Sequence, residues 1–426
     1  MLSIGLMSGT SMDGIDAALL ETNGSPGQVK EIGHITLPYD SKYCLLLKAA
    51  EYTIRNCLGN LEQAQRHFPQ ALTDYLSKEL KISDIKNKYT ELLAYLALNT
   101  TSSNQDMLDA ILEHSTTLHI SAVEKLLQVT RYLPTAIDVI GYHGQAMFHR
   151  PAMKVSVIIG NGQRLANTLG ITVVNDFRSN DMHAGGQGAP FAPLYHQALA
   201  VRDNRIPLAV VNCGGIANIT FINNANECDL IGFDTGPGNG LVDRLVRQRT
   251  QGKEQMDRNG QYGKTGRVSL SVLKTLYEQS IIKDSKNYFT TKPPKSLDIN
   301  DMKLIPALET LSLADAAVTL EIFTAETIVA SLAHYQKAPP HNWILAGGGW
   351  HNPIIRQAFN DCLRKKLGFV PHIQTADEAG WNAQAMEAQI FAYLAVRSLQ
   401  NKPLSVPSTT GVPHALSGGR IYTSAT

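Results

Sequence analysis

The chain has 426 residues, and its 38 Lys plus Arg against 37 Asp plus Glu give a formal net charge of +1. This near-neutral balance argues against a nucleic-acid partner or an anionic membrane surface, because both usually require a basic face. The length favours two domains or lobes. The five cysteines are scattered and include no C-x-x-C pair, which is typical of reduced thiols in a cytoplasmic protein.

The N-terminal apolar run is short and lacks the basic residues of a signal peptide. From the sequence we expect no stretch that approaches the roughly 20 apolar residues of a membrane-spanning helix. Both observations predict a cytoplasmic protein without a membrane segment.

The predicted elements begin with strands and return to them after a long helical region. Residues 2–7 and 15–21 are separated by a polar turn, which predicts a β-hairpin. Helical periodicity extends from residue 41 to about residue 133. Strands and helices alternate from residue 138 onward. This order predicts an α/β protein of two lobes, residues 1–203 and 204–426, with a late helix that packs back on the first lobe.

Three glycine-rich turns follow predicted strands, in residues 5–16, 212–218 and 347–353. Glycines let backbone amides approach an anion closely, and the Ser and Thr hydroxyls of the first turn add donors. A tight structural turn requires the same small residues, so each turn alone is a weak signal. Together they favour a nucleotide held in a cleft between the lobes.

A polar segment after the predicted strand 171–174 contains Asp176, Arg178, Asp181 and Gln187. An acid in such a loop can act as a general base on a water or a hydroxyl. The alternative is a structural ion pair between Arg178 and one of the two acids. Gln187 lies between glycines, where its amide can bind sugar hydroxyls.

Two other strand ends are predicted to carry polar side chains. Asp234 follows a strand and either faces phosphates and a metal or caps the next helix. His143 and Gln145 follow the strand that begins at residue 138. A lone histidine is more often structural than a ligand, and this interpretation is also preferred for His149.

Together these segments resemble the anhydro-N-acetylmuramic acid kinase family, from residue 4 to about residue 388. The resemblance is carried by residues 5–16, 143–145, 176–190, 232–239, 347–353 and 386–388. It implies the two-lobed α/β fold of sugar kinases, actin and heat-shock ATPases. In that fold each lobe has a mixed five-stranded sheet, and ATP binds in the cleft between the lobes.

The resemblance also implies roles for single residues, with Asp181 as the catalytic base. The implied ATP phosphate-binding residues are Ser8, Gly9, Thr10, Ser11, Asp13, Gly14, Gly214, Gly215, Asn218 and Asp234. The implied adenosine-binding residues are Gly347, Gly348, Gly349 and Asn352. The implied sugar-binding residues are His143, Gln145, Arg178, Gln187 and Lys295. Asp13 and Glu387 are the implied Mg²⁺ ligands.

The reaction implied by the resemblance couples ring opening to phosphorylation. Asp181 takes a proton from a water that attacks the anomeric carbon of 1,6-anhydro-N-acetylmuramic acid. The released O6 attacks the γ-phosphate of ATP, with Mg²⁺ to spread the charge. The products are N-acetylmuramic acid 6-phosphate and ADP, in the recycling of peptidoglycan. The family also suggests a homodimer.

Three departures from the family pattern are visible. Asn180 precedes Asp181 where many members have Arg, and residues 294–298 match the family only in part. The helical region between about 55 and 133 looks longer than usual, which suggests an insertion or a partner surface. The open alternatives are a kinase of another anhydro sugar such as levoglucosan, a sugar kinase that acts on a free hydroxyl, and a non-catalytic ATP-binding switch.

Overall fold

The computed structural model describes residues 1–9, 12–80, 82–98, 104–282, 286–298 and 301–424. Contacts between residues divide the chain into two compact units. Unit 1 contains Met1–Gly188, Ala385–Leu404 and Ala415–Thr426, and unit 2 contains Ala189–Gln384 and Ser405–His414. The late part of the chain around residues 385–404 thus clusters with the N-terminal segment. Residues 189–203, assigned to the first lobe from sequence, cluster with unit 2.

The strands are numbered in chain order. They are β1 (Leu2–Ser8), β2 (Gly14–Thr22), β3 (Val29–Pro38), β4 (Val139–Arg150), β5 (Val155–Ile159), β6 (Val173–Asn175), β7 (Leu208–Cys213), β8 (Ile216–Ile222), β9 (Ile231–Pro237), β10 (Ile281–Ile282), β11 (Lys286–Asn287), β12 (Asn342–Ala346), β13 (His372–Thr375) and β14 (Arg420–Tyr422).

The α-helices are numbered in the same way. They are α1 (Ser41–Asn56), α2 (Leu61–Asp74), α3 (Ile85–Tyr95), α4 (Asn104–Thr130), α5 (Gly162–Leu169), α6 (Ser179–His183), α7 (Ala192–Arg202), α8 (Gly240–Arg249), α9 (Leu270–Gln279), α10 (Leu313–Ala330), α11 (Pro353–Leu367), α12 (Met386–Leu399) and α13 (Pro407–Thr410). A short π-helix, Tyr75–Glu79, follows α2 directly.

Both units repeat one sheet topology. The unit 1 sheet has the order β14-β6-β4-β1-β2-β3, with β5 paired to β4, and the unit 2 sheet has the order β13-β12-β7-β8-β9. In unit 1, β1, β2 and β3 are antiparallel neighbours, and the other side of β1 pairs with the parallel strands β4 and then β6. In unit 2, β7, β8 and β9 are antiparallel neighbours, and the other side of β7 pairs with the parallel strands β12 and then β13. This confirms the predicted α/β class with two sheets. The unit 1 sheet carries β5 and β14 in addition to the expected five strands.

Close packing of α12 against the unit 1 sheet explains two glycines of the sequence motifs. A Cβ atom on Gly5 would lie 1.8 Å from the carbonyl oxygen of Ala388, and one on Gly141 would lie 2.0 Å from that of Phe391. Real Cβ atoms never approach carbonyl oxygens this closely, so only glycine fits at either position. These two glycines therefore serve helix packing within unit 1.

Two strands run further than the sequence predicts. β4 continues to Arg150 because its second half pairs with β5, so His143 and Gln145 lie inside a strand and not at its end. β9 continues to Pro237 through pairing with β8, which places Asp234 inside a strand. Both extensions depend on pairing with a neighbouring strand, which the pattern of a single segment does not show.

One segment corrects the expectation that no stretch has the length and composition of a membrane span. Leu313–His334, which comprises α10 and the turn after it, meets both criteria with a mean hydropathy of 1.5. However, 78% of its most apolar window is buried inside the protein. A helix packed on several sides is apolar all round for that reason alone, so this is a core helix.

Candidate active site

Asp181 lies in α6, a short helix inside the segment that was predicted to be a loop, and its side chain is buried. Its Oδ1 accepts a hydrogen bond of 2.6 Å from the backbone N–H of Gly188. Its Oδ2 is also buried and accepts no hydrogen bond from the described residues. Buried carboxylate oxygens normally have a donor, because desolvating a charged group is costly. The unpaired oxygen leaves an acceptor position open, as a general base requires.

Arg178 connects the Asp181 segment to strand β4. Its Nη1 donates to the carbonyl oxygen of Gly188 across 2.6 Å, and its Nη2 donates to Nε2 of His143 across 3.0 Å. Nδ1 of His143 lies 2.8 Å from the carbonyl oxygen of Gly144 and therefore carries the ring proton. Burial, together with the positive charge of Arg178, lowers the pKa of His143 to about 3.

The predicted sugar contact of His143 does not suit this arrangement, because both ring nitrogens already have protein partners. The histidine is neutral and orients the guanidinium of Arg178. His143 is buried, whereas the side chain of Arg178 is only partly buried.

Two further side chains of β4 hold neighbouring loops. Nε2 of Gln145 donates to the carbonyl oxygen of Gly9 across 2.9 Å, while its buried Oε1 has no partner among the described residues. Nε2 of His149 lies 3.0 Å from the carbonyl oxygen of Gln187. Gln145 thus anchors the first glycine-rich turn, and His149 supports the backbone at Gln187, in line with its predicted structural role.

The first predicted phosphate loop connects β1 to β2, and its residues Thr10 and Ser11 lie outside the described residues. Ser8 is buried, and its Oγ lies 3.2 Å from Nε2 of His119 on α4. The Ser8 hydroxyl therefore faces the protein, so this residue offers a phosphate only its backbone. Gly14 begins β2, where a Cβ atom would lie 2.7 Å from the carbonyl oxygen of Leu37, so Gly14 is required for packing.

The acids predicted to bind Mg²⁺ both lie in unit 1. Glu387 lies in the first turn of α12, and its side chain is exposed to solvent. Desolvation raises its pKa, as does the carboxylate of Asp16, while Arg178 lowers it. Burial raises the pKa of Asp16, and the exposed Asp13 adds to this effect. Asp16, which was not among the predicted ligands, thus lies within electrostatic reach of both predicted acids.

These carboxylates suit a hard cation that binds few protein ligands. The described residues contain no group of three or more His, Cys, Asp and Glu side chains placed to hold a metal. Mg²⁺ in kinases is typically held by one or two carboxylates together with substrate phosphates and waters. The carboxylate of Asp16 repels that of Glu387 and adds to the effect of desolvation on the pKa of Glu387. A bound cation would relieve this repulsion.

The second predicted phosphate loop lies in unit 2, between β7 and β8. The carbonyl oxygen of Gly214 accepts from the N–H of Asn239 across 2.8 Å, and that of Gly215 accepts from the N–H of Gly238 across 3.0 Å. A Cβ atom on Gly238 would lie 1.9 Å from the oxygen of Gly214. Two glycine turns therefore pack on each other at the start of α8, while Asn218 lies within β8.

Asp234 and Lys295 were assigned to different ligands, but the structure places them together in unit 2. Oδ2 of Asp234 accepts from the N–H of Leu297 across 2.8 Å, so this acid holds the 295–297 segment and does not cap α8. Nζ of Lys295 donates to the carbonyl oxygen of Tyr288 across 3.0 Å and lies 4.4 Å from the centre of its ring. Burial lowers the pKa of Lys295 to about 8, and Asp234 opposes this shift.

A cavity of about 590 Å³ in unit 2 lies at the end of β12 and is lined by Gly347 and Gly348. This volume is within the range of small-molecule sites. Its lining also includes residues that were not predicted to bind a ligand, namely Arg356, Thr375, Asp377 and Asn382. Arg356 lies on α11, Thr375 ends β13, and Asp377 and Asn382 follow it. The sequence around them contains no glycine-rich signal that could have identified them.

The other two predicted adenosine residues do not line this cavity. A Cβ atom on Gly349 would lie 2.5 Å from Sγ of Cys213, so this glycine packs against β7. Oδ1 of Asn352 accepts from the N–H groups of Ile354 and Ile355 at the start of α11, and its Nδ2 donates to Oε1 of Glu321 across 2.6 Å. The backbone of Gly349 and the side chain of Asn352 therefore support the turn.

Comparisons with known proteins complete the description of the site. A model of the anhydro-N-acetylmuramic acid kinase family matches residues 83–424. The anhydro-N-acetylmuramic acid kinase of Zymomonas mobilis is 40% identical over 423 residues, which are 99% of this chain and 100% of that protein. The enzyme of the same name from Rhizorhabdus wittichii is 39% identical over 419 residues, 98% of each chain. The alignment with a ROK hexokinase structure from Thermus thermophilus covers 93% of this chain and 99% of the hexokinase at 12% identity. Its TM-score of 0.38 is too low to support an inference.

Proposed function

The chain belongs to the anhydro-N-acetylmuramic acid kinase family, and on this premise we propose that it is an ATP-dependent kinase of 1,6-anhydro-N-acetylmuramic acid. It opens the anhydro ring with water and phosphorylates O6, giving N-acetylmuramic acid 6-phosphate and ADP. This reaction returns a cell-wall sugar to metabolism in the cytoplasm.

The observation that carries the hydrolytic half of this proposal is the carboxylate of Asp181. One oxygen is held by the N–H of Gly188, and the other is buried without a donor among the described residues. A water bound at the second oxygen can lose its proton to the carboxylate as it attacks the anomeric carbon. The bond between that carbon and O6 then breaks, and O6 becomes the nucleophile for phosphoryl transfer.

The phosphoryl half requires groups that bind ATP and neutralise charge. We propose that the cavity at Gly347 and Gly348 binds the adenosine, and that the turns at Gly9 and Gly214 provide backbone amides for the phosphates. Asp13 and Glu387 would hold Mg²⁺ together with phosphate oxygens and waters. The cation supplies charge neutralisation on the phosphate oxygens when it is bound.

We also propose which side chains contact the sugar. Arg178, oriented by His143, suits the lactyl carboxylate of the sugar because a guanidinium binds a carboxylate through two donors. Gln187 and Lys295 are proposed to bind sugar hydroxyls or the carboxylate. A homodimer and the lack of a nucleic-acid or membrane partner are likewise proposed, the latter from the near-neutral charge.

An isotope experiment tests the coupled reaction. The purified protein is incubated with Mg-ATP and 1,6-anhydro-N-acetylmuramic acid in ¹⁸O-water, and ADP and the product mass are followed. Sugar-dependent ADP release with one ¹⁸O at the anomeric carbon is the expected result. Asp181→Asn should lower the rate by about 10²–10⁴-fold, the usual contribution of a general base.

Asp176→Asn is the matched control, because this neighbouring carboxylate accepts from the Ser179 hydroxyl and is exposed. If Asp176→Asn lost as much activity as Asp181→Asn, the assignment of the base would be wrong. A product without ¹⁸O at the anomeric carbon would favour a kinase that acts on a free hydroxyl. Activity with levoglucosan in place of the amino sugar would assign another anhydro sugar, and ATP binding without any sugar-dependent ADP would favour a non-catalytic switch.

A further inference from the structure

One side chain of the helical region reaches the first predicted phosphate loop, although the proposed reaction makes no use of that region. His119 lies in α4 and is fully buried. Its Nε2 lies 3.2 Å from Oγ of Ser8, the last residue of β1. Its Nδ1 lies 2.8 Å from the carbonyl oxygen of Ser115, one turn earlier in the same helix.

These two contacts determine the direction of the hydrogen bond to Ser8. The carbonyl oxygen of Ser115 can only accept, so Nδ1 of His119 carries the proton and Nε2 is an acceptor. Ser8 must therefore donate its hydroxyl hydrogen to His119. Burial lowers the pKa of His119 to about 4, so the neutral ring that this bond requires is also the form present near neutral pH.

The imidazole has little freedom to leave this position. The ring of Tyr142 on β4 lies 4.8 Å from it, centre to centre. The hydroxyl groups of Tyr39, Ser115 and Tyr142 are buried without a hydrogen-bond partner among the described residues. The hydroxyl of Tyr39 also lies near that of Ser8, which opposes the effect of burial on the pKa of Tyr39, while Nε2 of His119 is the nitrogen acceptor, 3.2 Å from the Ser8 hydroxyl.

The hydrogen bond acts on the start of the loop together with a second contact. Gly9, directly after Ser8, has its carbonyl oxygen held by Nε2 of Gln145 and by the N–H of Met12. The side chain of Ser8 is held from the side of α4, and the backbone of Gly9 is held from β4. Two anchors on consecutive residues set the direction in which the backbone leaves β1.

We propose that His119 is a positioning residue for ATP binding. By accepting the hydroxyl hydrogen of Ser8 it positions the backbone of Ser8 and Gly9, where the loop proposed to bind the ATP phosphates begins. The helical region then contributes to nucleotide affinity through α4, which gives it a role inside the enzyme. This inference rests on the proposed function only in that the loop binds ATP.

Substitutions at His119 separate positioning from packing. His119→Phe keeps a planar ring but removes the acceptor, and we expect ATP affinity to fall about tenfold, the order of an unsatisfied buried hydroxyl. His119→Gln places an amide oxygen near the former Nε2 and should restore most of this loss. His114→Phe is the control on the same helix, because His114 bonds the hydroxyl of Tyr95 and packs against the ring of Tyr43.

The dissociation constant of a non-hydrolysable ATP analogue is measured by calorimetry for each variant, with the melting temperature alongside. The KM for the sugar should not change in His119→Phe. Ser8→Ala should weaken ATP binding by the same factor, and the double variant should lose no more than either single variant. ATP binding is measured here without sugar, so a wrong sugar assignment leaves this test intact.

Three outcomes would overturn the inference. His119→Phe could bind the analogue as tightly as the unchanged protein. His114→Phe could weaken binding to the same extent, which would indicate a general effect on α4. The losses of Ser8→Ala and His119→Phe could also add fully in the double variant, which would mean that the two side chains do not act through one hydrogen bond.

Discussion

The guanidinium of Arg178 donates to Nε2 of His143 across 3.0 Å and thereby fixes the neutral tautomer of a histidine in the candidate site. Arg178 remains charged at every accessible pH and has only donors, so His143 must accept. The histidine is excluded from proton transfer by this bond. The position of His143 instead determines where the second guanidinium nitrogen meets the carbonyl oxygen of Gly188, whose N–H holds the Asp181 carboxylate proposed as the base.

Arg178→Lys should therefore impair catalysis although it preserves the charge. A lysine ammonium cannot bridge His143 and Gly188 in the planar geometry of the guanidinium. We expect kcat/KM for the sugar to fall by about 10–100-fold, the cost of losing one to two charge-assisted hydrogen bonds. Steady-state kinetics measure this loss. Arg164→Lys is the control, since Arg164 pairs with Glu113 at the surface, and an equal loss there would contradict the prediction.

The buried His196 should make the protein less stable in acid. Burial lowers its pKa from 6.5 to about 4, so the unfolded chain binds a proton more readily than the native state between these values. Stability therefore falls as pH decreases through this window. His196→Asn retains an acceptor for the hydroxyl of Thr220, which Nδ1 contacts at 3.0 Å.

The measurement is the free energy of unfolding in urea at pH 7 and pH 5. Relative to His196→Asn, the unchanged protein should lose about 2 kcal/mol more over this interval, from 1.4 kcal/mol for each unit of pKa difference. An identical pH dependence of the two proteins would show that His196 is protonated normally in the native state.

Glu321 should have the opposite pH dependence. Burial raises its pKa to about 8, Asn352 opposes this through a hydrogen bond, and Asp257 adds to it. The native state therefore holds a proton that the unfolded chain releases above about 4.5, so stability falls as pH rises from there towards 8. Glu321→Gln should remove this decrease, because an amide replaces the neutral acid.

Unfolding in urea at pH 5 and pH 8 tests the prediction for Glu321. Glu321→Gln should gain stability relative to the unchanged protein at pH 8, and Glu321→Ala should lose it at both values because the amide of Asn352 is left without its acceptor. Equal pH slopes for Glu321→Gln and the unchanged protein would refute the raised pKa.

Gly5→Ala should destabilise unit 1 through overlap with α12. The added Cβ would lie 1.8 Å from the carbonyl oxygen of Ala388, and backbone atoms cannot move aside cheaply. We expect a loss of about 3 kcal/mol or more, seen as a lower melting temperature. Gly418→Ala is the matched control in the same unit, since its nearest neighbour would be 3.6 Å away. An unchanged melting temperature for Gly5→Ala would contradict the packing of α12 on β1.

The sequence was sufficient for predictions that depend on neighbouring residues. Strand and turn signals around Gly5–Asp16 located β1 and β2, because hydrophobic alternation and glycine content are local properties. The polar segment around Asp181 was likewise recognised as a candidate for general base chemistry. Its short helix was missed, since five residues carry too little periodicity to predict one.

Assignments of side-chain direction were less successful. Ser8 was predicted to bind phosphate, but its hydroxyl faces His119, which is 111 positions away in the chain. Asn352 was predicted to contact adenosine, but it bonds to Glu321 on α10, 31 positions earlier. In both cases the residue type was suitable for a ligand, and only the neighbour determined that the side chain points elsewhere.

By itself, then, the sequence determined the α/β class, the family and the candidates for the site residues, because composition, turns and motifs are properties of short segments. The tertiary structure alone decided which of those side chains have protein partners, which tautomer His143 adopts, and why Gly5 and Gly141 must lack a side chain. Burial, hydrogen-bond partners and steric room arise when segments distant in the chain pack together, and no local pattern encodes them.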